Sequence, residues 1–141
     1  MNLAALIYLT ALANGVNGNL AVSIACVESR LNPSAIGNQN DIGIFQIREK
    51  FVPESREELL NAEININRGT RMLAHAQTVC KSDLSNNWFL CHNRGVVGGR
   101  KVGRVVAKNT KYVKTVTKVY QCLKGNTYKD YLEHFDPRSC L

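Results

Sequence analysis

Leu20-Ala-Val-Ser-Ile-Ala-Cys-Val-Glu28-Ser-Arg-Leu-Asn-Pro33 decides how this chain is read: eight residues without a charge, then a carboxylate, then a proline that stops the helix. Helical spacing places Glu28 one turn beyond Ile24 and Ala25, on the side that Leu31 continues. A carboxyl group there is partly stripped of water. Desolvation disfavours the charged form and raises the pKa, which a general acid working near neutral pH requires. The alternative at this position is a glutamate at a helix end, paired with Arg30 or facing solvent.

Outward from this stretch the chain reads as helices almost throughout. Helices are expected over residues 2–13 and 19–31, a short one after Ser55 to about Leu60 with Ser55 and Glu58 in capping-box spacing, and one over about 63–80. Gly69 inside that last helix costs about 1 kcal/mol against alanine, so close packing is the expected reason to keep it. A short helix from Asn86 to Arg94, a flexible glycine-rich turn region from Gly95 to Gly103, a helix over about 108–124 and a last helical turn from Tyr128 to Phe135 complete the reading. Residues 34–47 form a loop in which Ile44-Phe-Gln-Ile47 is either extended or irregular. The fold class is all-α, with β structure limited to a small hairpin. At 141 residues, 45% of them hydrophobic, the chain has room for one core, and a single domain over residues 1–141 is expected.

Four strings fall in order along this frame: Glu28-Ser-Arg-Leu-Asn-Pro33, Gly43-Ile-Phe-Gln46, Asn65-Ile-Asn-Arg-Gly69 and Cys91-His-Asn-Arg-Gly95. They resemble the signatures Glu-Ser-x-x-Asn-Pro, Gly-Leu-Met-Gln, Asn-Ile-x-x-Gly and Ala-Tyr-Asn-x-Gly of the soluble lytic transglycosylase (SLT) domain in the lysozyme-like superfamily. Tyr112-Val-Lys-Thr-Val116 matches a fifth, looser feature. The resemblance runs from about Leu20 to Tyr120 and implies a lysozyme-like helical domain with a substrate groove, acting on peptidoglycan glycan strands.

The resemblance also implies roles. Glu28 would protonate the β-1,4 glycosidic oxygen between N-acetylmuramic acid and N-acetylglucosamine, then take the proton of the sugar's own 6-hydroxyl, leaving a 1,6-anhydro end. Ser29 and Gln46 match positions that hydrogen-bond near the acid or the sugars, and Asn93 matches the asparagine that binds the muramoyl residue. Tyr112 would approach Glu28 and hold its protonation state, and Phe45 would line the groove as an aromatic face for a sugar ring. Plain core packing is the alternative for Phe45 and Tyr112, and the preferred reading for Trp88. His92 stands where the family usually has tyrosine, so that substrate contact is altered and pH-sensitive. Asp41, in Asp41-Ile-Gly-Ile-Phe-Gln46, is the second candidate carboxylate. With it the enzyme would be a hydrolytic muramidase; without it, a loop carboxylate that caps backbone or faces substrate. A non-catalytic wall-binding or virion structural module is the alternative of another class.

Charge is uneven along the chain. Residues 1–93 carry seven basic and eight acidic groups, whereas residues 94–129 carry ten basic groups and no acidic one, within a net charge of +7. Such a one-sign block is a field for an anionic partner, here anionic envelope polymers. Without a nucleic-acid recognition motif, no nucleic-acid partner is expected. Cys26, Cys80, Cys91, Cys122 and Cys140 form no Cys-x-x-Cys and no metal pattern with His75, His92 or His134. No metal and no cofactor are expected; their pairing stays open, with at least one thiol free and Cys26 read as a buried small hydrophobe. No apolar run is long enough to span a bilayer. Residues 1–13 lack a positively charged start and read as a helix, so delivery to the wall without a cleaved signal, as in a phage endolysin or virion protein, is expected. The alternative is export with residues 1–13 as the signal. Action at the periplasmic or outer face of the bacterial wall, by a monomer, completes the expectations.

Overall fold

The computed structural model describes residues 2–140, with side chains described for residues 2–138. Nine α-helices lie among the described residues: α1 (Leu3–Ala13), α2 (Gly18–Ser29), α3 (Arg56–Leu59), α4 (Ala62–Leu84), α5 (Leu90–Arg94), α6 (Val96–Arg100), α7 (Arg104–Asn109), α8 (Lys111–Leu123) and α9 (Tyr128–Glu133). A two-stranded antiparallel hairpin, β1 (Asp41–Ile42) and β2 (Ile47–Arg48), pairs Asp41 with Arg48 and Ile42 with Ile47. The fold is thus all-α but for this hairpin.

The central element is α2. Asn17 caps it by accepting a hydrogen bond from the Leu20 amide, and its residues Ala21 to Cys26 are buried without a break. It packs against α1 on one side and α8 on the other, and α1 in turn lies on α4. Residues 3–13, read as a helix, form α1 and place Ile7 and Ala11 in the core. The C-terminal end is fastened back by polar groups. Asn19 donates to the Lys124 and Asn126 carbonyls at 3.1 Å each and accepts from the Tyr131 hydroxyl, while Asn2 donates to the Tyr131 carbonyl.

Several boundaries differ from expectation: α4 runs on to Leu84 rather than about residue 80, the helix expected from Asn86 starts only at Leu90, and three further differences have a local reason. First, α2 ends at Ser29, before Asn32-Pro33, because Arg30 and Leu31 adopt left-handed backbone (φ 54° and 59°) that turns the chain and returns Leu31 to the core. Second, the region from Gly95 to Gly103 is not a flexible turn but contains α6. Gly95 and Gly103, at φ 79° and 80°, break the chain on either side of it. A Cβ on Gly99 would press on Cys91, so this glycine lets α6 lie against α5. Third, the helix expected over 108–124 is split at Thr110, whose extended backbone ends α7 and whose hydroxyl accepts from the Val113 amide to start α8. The capping box at Ser55 and Glu58 is present as read. No helix among the described residues is long and apolar enough to cross a membrane.

Gly69 is explained by packing. A Cβ there would overlap the Phe45 ring, which is fully buried against α4. Gly69→Ala would gain about 1 kcal/mol of helix propensity but lose about 1–3 kcal/mol to overpacking. The melting temperature of Gly69→Ala should therefore fall by a few degrees; a rise would show that α4 and Phe45 do not meet as described.

Candidate active site

Four segments converge where α2 ends. Glu28 lies on the last turn of α2 with only 12% of its side chain exposed. The Tyr112 hydroxyl, from the first turn of α8, donates to Glu28 Oε2 at 3.0 Å. His92, on α5, brings Nε2 to 3.7 Å from the same oxygen. The loop from Gly43 to Gln46 forms the remaining wall.

Burial pushes the Glu28 carboxyl above the usual carboxylate range, and the nearby charge of Asp41 adds slightly to that push. His92 and the Tyr112 hydrogen bond pull the other way without cancelling it. Tyr112 is itself driven well above the ordinary phenol value, chiefly by burial and then by the Glu28 charge. It is therefore a fixed donor, and its ring rests on Phe89 at 6.2 Å between centroids. The site is a desolvated carboxyl with one dedicated hydrogen-bond donor.

The loop is held from behind by groups that are mostly not aimed at the groove. Asn65, fully buried on α4, accepts from the Phe45 amide at 2.9 Å and donates to the carbonyls of Ile42 (2.8 Å) and Leu59 (2.9 Å). Ser29 donates to the Ile44 carbonyl at 2.7 Å. His92 Nε2 meets the Phe45 carbonyl at 2.8 Å; a carbonyl only accepts, so Nε2 carries the proton. Gln46 sits at φ 51°, uncommon for a residue other than glycine, and its side-chain amide donates to the carbonyls of Ala35 and Gly43. Such a strained position inside an over-determined loop is typical of a functional site.

Several expectations about individual residues change as a result. Phe45 does not line the groove: its ring is fully buried between Gly69 and His92, and its backbone, not its face, does the work. The ring of His92 is 98% covered, so it braces the loop behind Glu28 rather than offering an open sugar contact. Ser29 and Gln46 spend their donors on loop carbonyls. Asn93 is exposed beside His92, open to a ligand. Asp41 is paired across the hairpin with Arg48 at 2.9 Å. Trp88 is buried in the core, as preferred. Asn65 received no role from the sequence; a polar residue on the inner face of a helix with an otherwise apolar stripe was the available signal.

A family model described as the transglycosylase SLT domain matches residues 6–114. The chain belongs to this family. No curated protein and no solved structure matches it. The match runs from α1 into the first turn of α8 and so spans both Glu28 and Tyr112. SLT domains are peptidoglycan lytic transglycosylases, so peptidoglycan is the substrate class and the bacterial cell wall the place of action. Among the described residues no group of three or more His, Cys, Asp or Glu is arranged to hold a metal ion.

A disulfide between Cys80 and Cys91 braces the site from outside. Cys80, at the buried end of α4, is bonded to Cys91, the residue before His92, so the loop brace is tied to the longest helix of the SLT domain. Cys26 is a free thiol, pushed up to about 12 by burial and therefore inert. Cys140 lies outside the residues whose side chains are described.

The raised Glu28 has a measurable consequence for stability. A carboxyl whose folded pKa lies above its unfolded value contributes stability that is complete below the ordinary glutamate value of about 4.3 and lost as pH climbs through the raised value. Glu28→Gln removes that loss while keeping an acceptor for Tyr112. Its melting temperature relative to the parent should therefore increase as pH rises from about 4 to 7. A constant difference over this range would place Glu28 in ordinary solvation.

Proposed function

We propose that this SLT domain is a single-carboxylate lytic transglycosylase in which Glu28 is both general acid and general base. The observation that carries the reading is a mostly buried Glu28 carboxyl whose one dedicated donor is a tyrosine that does not itself ionise.

The protonated carboxyl gives its proton to the oxygen that joins C1 of N-acetylmuramic acid to C4 of N-acetylglucosamine. The C1–O bond breaks, and the N-acetylglucosamine portion leaves as an alcohol. Glu28, now charged, is stabilised by the Tyr112 hydroxyl. It then removes the proton from the 6-hydroxyl of the same muramoyl residue, whose oxygen closes on C1. The product is a 1,6-anhydro end, no water is consumed, and Glu28 is protonated again for the next turnover. Because the nucleophile belongs to the substrate, the protein needs one carboxylate. The Asp41 pairing with Arg48 in the hairpin favours a structural role for Asp41 over that of a second catalyst. The exposure of Asn93, next in sequence to His92, supports a role for it in binding the muramoyl group.

Mass spectrometry of digested sacculi tests this. The parent and Asp41→Asn should both release anhydro-ended fragments, and Glu28→Gln should lose about 10²–10⁴-fold in rate. Reducing ends from the parent, lost in Asp41→Asn, would instead make the enzyme a two-carboxylate muramidase. Unchanged wall clearance by Glu28→Gln, or none by the parent, would leave a non-catalytic wall-binding module.

Tyr112→Phe separates positioning from chemistry. The Tyr112 hydrogen bond lowers the Glu28 pKa, so its loss raises that pKa further and moves the alkaline limb of the rate profile to higher pH. A hydrogen bond to a charged group contributes about 1.5–3 kcal/mol, so the rate at the optimum should fall by roughly ten- to a hundredfold. An alkaline limb that stays in place would remove Tyr112 from the acid–base pair.

A further inference from the structure

The basic block of residues 94–129 is not a uniformly charged surface. Its arginines are in part committed within the protein: Arg100 pairs with Asp83 at 2.7 Å, and Arg104 donates to the Ser82 carbonyl at 3.0 Å. Its lysines are not. Lys108 of α7 and Lys114 and Lys118 of α8 border one cleft of about 390 Å³, completed by Asn87, Val113 and Thr117. All three lysines are exposed, and the ion pairs found among the described residues include none of them. Lys114 and Lys118 are one turn apart on the same face of α8, and Lys108 faces them from α7. Like charges lining one cleft favour an anion between them.

From this cleft we infer that the α7–α8 face is a binding site for a phosphodiester polymer of the bacterial wall, a chain of polyol phosphates lying across the three lysines. Its chemistry selects the occupant. Lysine is a point charge that binds a phosphate oxygen from any direction, and a polymer with one phosphate per repeat presents a row of charges to the row of three lysines. No aromatic ring lines the cleft, so the stacking platform on which the bases of single-stranded nucleic acid are held is missing. Asn87 and Thr117 supply neutral hydrogen-bonding groups for polyol hydroxyls, and Val113 gives an apolar floor.

The position of the cleft gives it a use. Tyr112 and Lys114 stand two residues apart on α8, so they point to different sides of that helix, one toward Glu28 and the other into the cleft. The polymer therefore lies beside the glycan site rather than in it, and anchors the enzyme to the wall without occupying the groove. This deepens the wall-cleaving reading and rests on it for where the protein works.

The test compares Lys108→Gln/Lys114→Gln/Lys118→Gln with its parent, both in a Glu28→Gln background so that the walls stay intact. Glutamine is a good helix former and the three positions are exposed, so circular dichroism should be unchanged. Retention is measured on walls bearing phosphodiester polymer, on the same walls after acid removal of that polymer, and with poly(glycerol phosphate) or duplex DNA as competitor. The triple substitution should lower retention on intact walls by about tenfold or more and flatten the log–log salt dependence by about two to three. Stripped walls should hold both proteins equally weakly. Equal retention of the two proteins on intact walls, full retention on stripped walls, or more effective displacement by DNA than by poly(glycerol phosphate) would each overturn the inference. With Glu28 restored, the triple variant should cleave stripped walls at the parental rate. Absence of cleavage by both proteins would count against the wall-cleaving reading alone and leave the binding result standing.

Discussion

One hydrogen bond organises this molecule: the Tyr112 hydroxyl on the Glu28 carboxylate, joining residues 84 positions apart. A carboxyl group at the end of a buried helix is costly unless it is protonated or paired. The protein makes that cost small without abolishing it. Tyr112 offers a single neutral donor, so the charged form is accommodated while burial still favours the protonated one. For this to happen α8 must return to α2 along most of its length, and α1 and α4 must close the other side. The packing of α2 between α1 and α8 is thus the mechanical expression of one electrostatic requirement.

The second requirement is a loop that stays in place. Residues 43–46 have little regular structure to hold their backbone groups, and a buried unpaired amide or carbonyl costs about 1–3 kcal/mol. Asn65, Ser29, His92 and the Gln46 side chain each satisfy one of these groups, and the further bonds of Asn65 to the Ile42 and Leu59 carbonyls and of Gln46 to the Ala35 carbonyl tie the loop to its surroundings. The motif residues Ser29, Gln46 and Asn65 thus hold the loop that walls the site. The disulfide between Cys80 and Cys91 extends the same logic, fixing the short helix that carries His92 and Asn93 to the rigid α4.

What could be read from the sequence follows from how local each cause is. The uncharged run before Glu28, the capping box at Ser55 and Glu58 and the apolar spacing of α8 are local, and each was legible. Gly69 was legible as a close contact but not as a seat for Phe45, because the partner is 24 residues away. Phe45 itself reads equally well as a groove wall or a core residue, and only packing decides. The glycine-rich stretch before Gly103 looks like a turn by propensity, yet Gly99 against Cys91 makes it a packed helix. Pairing of Cys80 with Cys91 and the partners of Asn65 depend on tertiary proximity; only the place of Asn65 on the inner face of α4 left a periodic trace. Charge behaved in the same way: the block of ten basic residues was plain, but which of them were already committed was not.

The central claim is that the fold keeps Glu28 protonated above the range of an ordinary carboxylate. Carbon-detected NMR titration of the protein labelled at glutamate carboxyl carbons measures this directly, with Glu28→Gln assigning the resonance. One carboxyl is expected to titrate well above the ordinary glutamate value of about 4.3 and to vanish in that variant. If every glutamate titrates in the ordinary range, burial does not tune Glu28 and the account of the site fails.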